Sequence, residues 1–554
     1  MNLSPEERTI GEENFHRVIA YTRRDFLKDA LAAGAVSGAG LGAMYFGYDK
    51  TIGKPLRVGV IGTGDEGNVL IGAISPAYLE VVAIADIRPY NIYRAFHGDE
   101  SSDNALKVRC GLMKKYGWKT EDEARRHVKI YDQDYKDLLN DRSVEAVIIA
   151  LPLHLHDKVA IEAMIKGKHV LTEKLMAHSV HQCKDMARVA KKTRKILAVG
   201  HQRHYSILYD NAVDTIRQGL IGDIHSIRAQ WHRENMPGSD SWQPKLPNKE
   251  MATEIQAIKK ALDESKDPTE IKVLTKKHKL LLRQYEDRVV DAARHEYEGK
   301  TLGGGTLGSY EYSPLEELIR WRLFNRTGGG LMAELGSHQL DAAGIFISAL
   351  RAKGEKAVPL SVAAMGGRWI FNHDRECEDH VYCTYEFPGK DYATNKDSKV
   401  GVAYSSINGN GYGGYGEVVM GTTGTLILER EEKVMLFKDS ATTTNVGVVK
   451  KKDGKETLDT TESGAGAALG KLALETGPVS RGYTEEMEHF AWCIRNPAPE
   501  NLPRCHPKVA LGDAVIALTT NIAIRENRRI DFKREWFEID LDDTPEGIKP
   551  NVSA

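Results

Sequence analysis

Runs of apolar residues alternate with amphipathic stretches over residues 55–203. The apolar runs lie at Leu56–Ile61, 81–85, 146–150, 169–171 and 196–199, and stretches with helical spacing, such as 158–166 and 181–192, separate them. Strands that are apolar on both faces and alternate with helices are typical of a parallel sheet covered on both sides. The pattern therefore predicts an α/β fold whose first domain is of the Rossmann type.

The pattern changes over residues 204–540, which we predict to be a second, α+β domain. Helical spacing occurs at 208–218 and 331–350, and polar and apolar residues alternate at 381–387, 402–407, 417–420, 425–428 and 434–437. Such alternation predicts a large, mostly antiparallel sheet with one open face. Because an open face exposes apolar side chains, we expect a homodimer or homotetramer that buries it.

Residues 235–312 read as a helical insertion in the second domain. Apolar residues recur at helical spacing in 248–261 and 271–297, with a Lys-Asp-Pro break between them, and charged residues occupy the other positions. The pattern predicts a helical hairpin. A lid, an oligomer contact and a surface elaboration are alternative roles for it.

Residues 1–48 carry the features of an export signal rather than of a fold. Thr22-Arg23-Arg24-Asp25-Phe26-Leu27-Lys28 precedes a run rich in glycine and alanine, and it resembles the twin-arginine motif at every core position. We therefore expect export in the folded state to the periplasm or cell envelope. The alternative is an amphipathic helix, and without a clear cleavage site an uncleaved membrane tether stays open. After this segment we expect no stretch that spans a membrane.

Composition narrows the class of protein further. The chain has 554 residues, which suits two or three domains, and its net charge of -2 argues against nucleic-acid binding. Its six cysteines are scattered without a Cys-x-x-Cys pair or a Cys/His cluster. We therefore expect buried free thiols and no metal site.

A glycine motif follows the first predicted strand. Residues 62–67 read GTGDEG, and Asp86 ends the second predicted strand. The glycines permit a tight turn and close approach to a pyrophosphate, and the carboxylate accepts the ribose hydroxyls. Asp86 favours NAD, although Arg88 leaves NADP open. The predicted cofactor contacts here are Gly62, Thr63, Gly64, Asp65, Glu66, Gly67, Asp86, Ile87 and Arg88.

Three later segments carry a family resemblance. Residues 151–156 read LPLHLH, residues 167–174 read GKHVLTEK, and residues 328–341 read GGGLMAELGSHQLD. In this order they resemble motifs of the Gfo/Idh/MocA family of glucose–fructose oxidoreductases and inositol dehydrogenases, over about residues 56–540 without the insertion. Leu175 stands where the family has proline, and Glu334 where it has aspartate. The resemblance implies further cofactor contacts at Leu151, Pro152, His156, Glu173 and Lys174.

The same segments contain the groups that alcohol oxidation requires. If 331–350 is a helix, Glu334, His338 and Asp341 lie on one face of it. Oxidation needs a base for the hydroxyl proton, for which His338 is suited, and a cation near the developing alkoxide, for which Lys174 is suited. The resemblance implies this same catalytic pair, with Glu334 binding a substrate hydroxyl or orienting the base.

Weaker candidates follow the last strand of the first domain and lie in the second. Arg203 and Tyr205 come where ligand crevices of α/β sheets open, with interdomain structure as an equal alternative. The predicted substrate contacts are Lys174, Arg203, Tyr205, Glu334, His338 and Asp341. Aromatic and arginine residues that could form a sugar platform, although packing explains single aromatics better, are Trp231, Arg233, Trp321 and Arg322.

These features predict an NAD(P)-dependent oxidoreductase that acts on a secondary hydroxyl of a sugar or glycoside. Because an exported enzyme has no NAD pool to exchange with, we expect a tightly bound cofactor that is recycled internally. The first alternative is a redox-neutral glycosidase that oxidises C3, eliminates the aglycone, adds water and is then reduced again. A lesser one is a non-catalytic sugar- or dinucleotide-binding protein.

Overall fold

The first domain is built on a six-stranded parallel sheet. The computed structural model describes residues 3–23, 41–48, 52–303, 308–351, 355–371, 373–450, 456–460 and 481–554. Along the parallel sheet the strands lie in the order β3-β2-β1-β4-β5-β6. The strands are β1 (Leu56–Ile61), β2 (Leu79–Ala85), β3 (Lys129–Tyr131), β4 (Ala146–Ile149), β5 (His169–Glu173) and β6 (Leu197–Gly200). The predicted parallel sheet is confirmed, and β3 is an additional strand too short to show a pattern. The order reverses between β1 and β4, where ligands of such folds bind.

Both faces of this sheet are buried, as continuous apolar strands require. In β4, Ala146 and Ile148 pack into one core, whereas Val147 and Ile149 pack into the other. The covering helices are Asp65–Ala73, Pro89–His97, Asp103–Val108, Gly111–Tyr116, Glu121–His127, Tyr135–Asn140, His156–Ile165 and Val180–Thr193.

The second domain contains an eight-stranded mixed sheet in the order β15-β14-β13-β7-β12-β11-β10-β18. Its strands are β7 (Ile224–Arg233), β10 (Ser361–Gly367), β11 (His380–Pro388), β12 (Lys399–Asn408), β13 (Tyr415–Gly421), β14 (Gly424–Glu429), β15 (Lys433–Lys438) and β18 (Ile530–Asp531). The β7–β12 pair is parallel and the other pairs are antiparallel. The predicted α+β domain is confirmed, with alternating burial along β11 and β12 that leaves one face open.

Helices of this domain pack against the sheet, against one another or against the first domain. They are Ile207–Arg217, Pro314–Ile319, Asn325–Gly328, Ser337–Ser348, Tyr483–Arg495 and Pro507–Glu526. The stretch predicted as one helix over 331–350 begins instead with a π-helical turn, Met332–Gly336, and continues as Ser337–Ser348. Single π-turns within helices are common at functional sites.

The insertion forms the predicted helical hairpin. Helices Lys249–Glu264 and Pro268–Tyr285 pack through Met251, Ile255, Ile258 and Leu281. The second helix ends earlier than predicted, and residues 286–295 form two short 3₁₀ turns, Glu286–Val289 and Ala292–His295. A small hairpin, β8 (Lys300–Gly303) with β9 (Ser309–Tyr312), ends the insertion, and a second one, β16 (Gly447–Lys450) with β17 (Glu456–Asp459), follows β15.

The expectation that residues 1–48 are no part of the fold is wrong for residues 3–23 and 41–48. Helix Pro5–Thr22 buries Phe15, Val18 and Ile19, and the Asn14 side chain donates to the carbonyls of Leu436 and Thr444 at 3.1 and 3.0 Å. A second helix, Leu41–Phe46, lies against the helix Tyr483–Arg495. Residues 24–40, which carry most of the twin-arginine motif and its apolar run, lie outside the described residues.

One helix among the described residues, Pro507–Glu526, has the length and mean hydropathy of a membrane span, contrary to expectation. Its most apolar window is 72% buried inside the protein. It packs against Val180–Thr193, Ser337–Ser348 and β10, which bury its apolar side chains in the core. The predicted free thiols are confirmed, with Cys110 half-buried and the other five buried.

Candidate active site

A cavity of about 900 Å³ opens at the carboxyl ends of β1, β2, β4 and β5. The glycine turn and Asp86 line one part of it, and Lys174, Glu334 and His338 line another. The insertion supplies a wall, with Trp242, Asp287 and Tyr297 among its lining residues. The cavity therefore joins the two groups of residues that the sequence singles out.

The glycine turn has room for a dinucleotide where the motif requires it. Gly62 has a φ of +86°, and a Cβ there would come within 2.3 Å of the Ala150 carbonyl oxygen. A Cβ on Gly67 would come within 2.1 Å of the Gly62 carbonyl oxygen, whereas a Cβ on Gly64 would meet nothing closer than 3.8 Å. Gly62 and Gly67 thus allow strand and helix to pack, and Gly64 leaves open the approach to the N-terminus of helix Asp65–Ala73, as a pyrophosphate requires.

Asp86 is held rigidly at the end of β2. Its Oδ2 accepts from the Thr63 backbone N–H at 2.7 Å, and its Oδ1 accepts from the Arg88 backbone N–H at 2.9 Å. Burial raises the pKa of the Asp86 carboxyl, although these donors oppose the rise. Thr63 acts through Asp86 and does not line the cavity.

The neighbours of Asp86 contact the insertion. The Arg88 guanidinium forms an ion pair with Asp287 at 2.8 Å, and the other Asp287 oxygen accepts from the Tyr90 backbone N–H at 3.0 Å. Ile87 packs against Ala292 and Tyr297 of the insertion. Asp287 belongs to no motif, and no signal in the sequence could have found it.

Three other acidic residues of the predicted cofactor site line the cavity. Asp65 forms an ion pair with Arg94 at 2.6 Å, which holds the pKa of the carboxyl well below its usual range against the effect of burial. Burial raises the pKa values of Glu66 and Glu173, whose carboxyls lie near each other. Raised pKa values reduce the negative charge near a bound pyrophosphate.

The segment after β4 divides its roles. Leu151 and Pro152 line the cavity, whereas His156 does not. The two ring nitrogens of buried His156 lie 2.8 and 2.9 Å from the carbonyl oxygens of Leu151 and Leu175. The structure thus places His156 outside the cavity, contrary to the predicted cofactor contact, and its ring connects the segments around Leu151 and Leu175.

Lys174 and Glu334 meet at the far end of the cavity. The Lys174 ammonium donates to the Glu334 carbonyl oxygen at 2.5 Å and lies 3.7 Å from its carboxylate. Arg322 donates to the same carboxylate at 2.7 Å. Although burial opposes it, these two cations hold the pKa of Glu334 well below its usual range.

His338 lies beside them with a free ring nitrogen. Burial, and then the nearby charges of Lys174 and Arg203, hold its pKa well below the ordinary value of 6.5. Among the described residues, its Nδ1 has no hydrogen-bond partner. The ring lies 5.5 Å from that of Trp231, centroid to centroid. A neutral imidazole that lines the cavity can accept a proton from a bound hydroxyl.

Three predicted substrate contacts, Arg203, Tyr205 and Asp341, lie away from the cavity. Arg203 is buried between Glu417 and Glu431, at 3.1 and 2.8 Å, and donates to the His338 carbonyl oxygen. The Tyr205 hydroxyl accepts from the Arg504 backbone N–H at 2.7 Å. These predictions are wrong because the end of β6 turns into the interdomain core.

Asp341 faces a buried polar cluster instead of the cavity. It lies 2.9 Å from His204, 3.6 Å from His201 and 3.4 Å from the ammonium of Lys356. His201, Asp341 and Asp513 are close enough together to hold a metal ion. Lys356 contacts both carboxylates and already supplies the positive charge that they require.

Two residues at the catalytic end of the cavity lie in a part of the chain for which the sequence predicts no functional role. Arg481 and Tyr483 line the cavity, and Arg481 forms an ion pair with Glu431 at 2.8 Å. They lie at the start of helix Tyr483–Arg495, far along the chain from every motif. Their sequence neighbourhood carries no recognisable pattern.

The glycine turn, Asp86 and the cavity beside them have the features of a dinucleotide-binding site. Residues 56–201 match the model of the Gfo/Idh/MocA oxidoreductases, described as an oxidoreductase family with an NAD-binding Rossmann fold.

Curated relatives resemble about a third of the chain. An inositol 2-dehydrogenase of Saccharopolyspora erythraea is 29% identical over 30% of this chain and 43% of its own length. A glycosyl hydrolase family 109 protein of Solibacter usitatus is 27% identical over 37% of this chain and 44% of its own length. The chain thus spans less than half the length of these relatives.

Solved structures resemble the fold over most of the chain. A levoglucosan dehydrogenase in complex with NADH has a TM-score of 0.50 at 17% identity, over 86% of this chain and 99% of its own. An oxidoreductase domain protein from Kribbella flavida has a TM-score of 0.51 at 14% identity, over 87% of this chain and 100% of its own. The fold of the chain therefore resembles that of these two structures.

Proposed function

We propose that the protein oxidises a secondary hydroxyl of a sugar or glycoside with NAD as the hydride acceptor. The observation that carries this proposal is the placement of Lys174, Glu334 and His338 in the same cavity as the glycine turn and Asp86. A hydride acceptor, a base and a cation are the groups that alcohol oxidation needs. The levoglucosan dehydrogenase of similar fold, solved with NADH, adds support at the level of the fold alone.

The residues of the chain divide the work. NAD, when bound, accepts the hydride from the carbinol carbon. His338 takes the hydroxyl proton, since its low pKa keeps it neutral and its side chain lines the cavity. Lys174 donates a hydrogen bond to the developing alkoxide, and Glu334 holds Lys174 and Arg322 in position.

We further propose NAD rather than NADP as the cofactor. Asp86 repels a 2′-phosphate, and Arg88, two residues further along the chain, is already paired with Asp287. A paired guanidinium offers little to a phosphate, because binding the phosphate would leave the buried Asp287 carboxylate without a partner.

We also propose that the protein is exported with its cofactor already bound. The twin-arginine resemblance at residues 22–28 supports export to the periplasm or cell envelope, with an uncleaved tether still open. Retained NAD must be reoxidised within each cycle, by a second sugar or by another acceptor.

The first experiment is to denature the purified protein, with no cofactor added, and to identify the released nucleotide by mass spectrometry. Near-stoichiometric NAD supports the retained cofactor. Reversible binding of added NAD to an empty protein contradicts retention, and absence of dinucleotide binding contradicts the oxidoreductase proposal.

A redox-neutral glycosidase is the second candidate, because a glycosyl hydrolase family 109 protein is among the relatives. That route needs a second base for the C2 proton. Tyr483 lines the cavity, but burial raises its pKa well above 10. The phenol therefore stays protonated and is a poor base. Release of phenol from aryl glycosides without net reduction of NAD would favour this candidate. The presence of both Lys174 and His338 argues against a non-catalytic binding protein.

We propose that a second copy of the chain covers the open face of the second sheet. Met365, Trp369 and Tyr382, on β10, β11 and the loop between them, are 58%, 56% and 39% exposed. Exposed apolar side chains grouped in this way are typical of subunit interfaces.

A further inference from the structure

Arg233 differs from the other cations at the catalytic end of the cavity. Lys174 and Arg322 pair with Glu334, and Arg481 pairs with Glu431. Arg233 lines the same cavity, and within the described part of the chain its side chain makes neither an ion pair nor a hydrogen bond. Its guanidinium is thus available to a ligand.

Two tryptophans hold this guanidinium in place. Its central carbon lies 5.6 Å from the ring centroid of Trp231 and 5.6 Å from that of Trp242. Such contacts stabilise a cation but leave its N–H groups unsatisfied. The half-buried Arg233 is therefore oriented without being neutralised, and burial lowers its pKa.

The charge balance around Arg233 favours an anion. Lys174, Arg233 and Arg322 share the carboxylate of Glu334. A second carboxylate that acts on Arg233, that of Asp240, is already paired with Arg375 at 2.8 Å. His338 is neutral because of its lowered pKa. A partly buried cation without a counter-charge is costly, and a guanidinium matches a carboxylate with two parallel hydrogen bonds. Trp231 links the two parts of the site, because its ring also lies against that of His338.

We propose that Arg233 binds a carboxylate of the substrate, so that the substrate is a sugar acid such as a hexuronate or its glycoside. This inference rests on the proposed oxidoreductase function and specifies its substrate class. The carboxylate occupies the fork of Arg233 while the hydroxyl to be oxidised lies at Lys174 and His338.

The test uses the protein as purified, loaded with its own cofactor, and measures binding of glucuronate, galacturonate, glucose and a hexose phosphate by calorimetry. Reduction of the bound nicotinamide is followed by absorbance as a second readout. The variants are Arg233→Gln, which removes the charge, and Arg233→Lys, which keeps it. Arg228→Gln is the matched control, because Arg228 is exposed on the same strand and lies outside the cavity.

We expect one of the hexuronates to bind about 10- to 100-fold more tightly than glucose, as a charge-assisted hydrogen bond predicts. Arg233→Gln should remove this preference without weakening glucose binding, Arg233→Lys should keep part of it, and Arg228→Gln should keep all of it.

Other outcomes overturn the proposal in distinguishable ways. Equal binding of acid and neutral sugars, or a preference that survives in Arg233→Gln, refutes the role of Arg233 but leaves the oxidoreductase proposal standing. Tighter binding of the hexose phosphate refutes the carboxylate. If no sugar of either charge binds or reduces the cofactor, the proposed function fails together with this inference.

Discussion

Replacement of Asp287 by asparagine should open the cofactor site to NADP. The change removes one buried charge but keeps an oxygen that can accept the Tyr90 backbone N–H, which Asp287 accepts at 3.0 Å. Arg88, 2.8 Å from Asp287 in the ion pair, is then free to bind a 2′-phosphate.

The magnitude follows from what Arg88 gains. A hydrogen bond between charged groups contributes about 1.5–3 kcal/mol, which corresponds to roughly 10- to 100-fold tighter NADP binding. NAD affinity should change little, because Asp86 keeps the donors that orient it. The free energy of unfolding should fall by less than the about 3–5 kcal/mol expected for a fully buried pair, since Arg88 is 18% exposed.

Competition of NADP with bound NADH, followed by nicotinamide fluorescence, measures this change, and mass spectrometry of co-purified nucleotide checks it. Asp291→Asn is the matched control, because Asp291 is exposed in the same insertion and has no ion pair among the described residues. A stable Asp287→Asn variant with unchanged discrimination between NAD and NADP would refute the reasoning.

The remaining predictions concern catalysis, stability and assembly. Lys174→Ala should lower turnover about 100-fold or more while bound NAD is retained, as steady-state rates and nucleotide release will show. Burial lowers the pKa of His338, so that the folded state favours its neutral form. The free energy of unfolding should therefore decline as the pH falls below about 6.5. In thermal melts at several pH values, His338→Gln should weaken this dependence. Asn14→Ala should lower the free energy of unfolding by about 1–3 kcal/mol, because it leaves two buried carbonyls and the Val446 N–H without a partner; an unchanged denaturation midpoint would contradict the docking of the first helix. Trp369→Glu should shift the protein to monomers in sedimentation experiments, and a wild-type monomer would refute the proposed interface.

The cofactor half of the site is predictable from sequence because each of its requirements is local. The turn places Gly62 at a φ of +86° and brings Gly67 against a carbonyl oxygen, and only glycine fits both positions. The glycine motif in the sequence therefore predicts this geometry directly. Asp86 follows directly, since it ends the neighbouring strand. His156 shows the limit of this reasoning, because a motif position can serve the site by bracing backbone and never touch the ligand.

The substrate half depends on tertiary placement that local patterns do not encode. In a regular helix Glu334, His338 and Asp341 share a face, but the π-turn Met332–Gly336 changes the phase between Glu334 and the residues after it. Glu334 therefore faces Lys174, whereas Asp341 faces the buried cluster around Lys356. A polar residue such as Arg203 fits a cavity or an interdomain core equally well until both domains are in place.

The insertion connects the two ends of the site, which gives it a role that a lid or a surface elaboration alone would not explain. Its Asp287 pairs with Arg88, whose backbone contacts Asp86, the residue predicted to accept the ribose hydroxyls. Its Trp242 lies against Arg233 at the catalytic end. One segment thus contacts both Arg88, which is proposed to influence the choice between NAD and NADP, and Arg233, which is proposed to bind the substrate. Because helices Lys249–Glu264 and Pro268–Tyr285 share a small core of their own, the insertion is a packed unit that can hold both contacts in a fixed relation. A change that loosens this core should therefore weaken cofactor discrimination and substrate binding together, even though no residue of the core touches either ligand site.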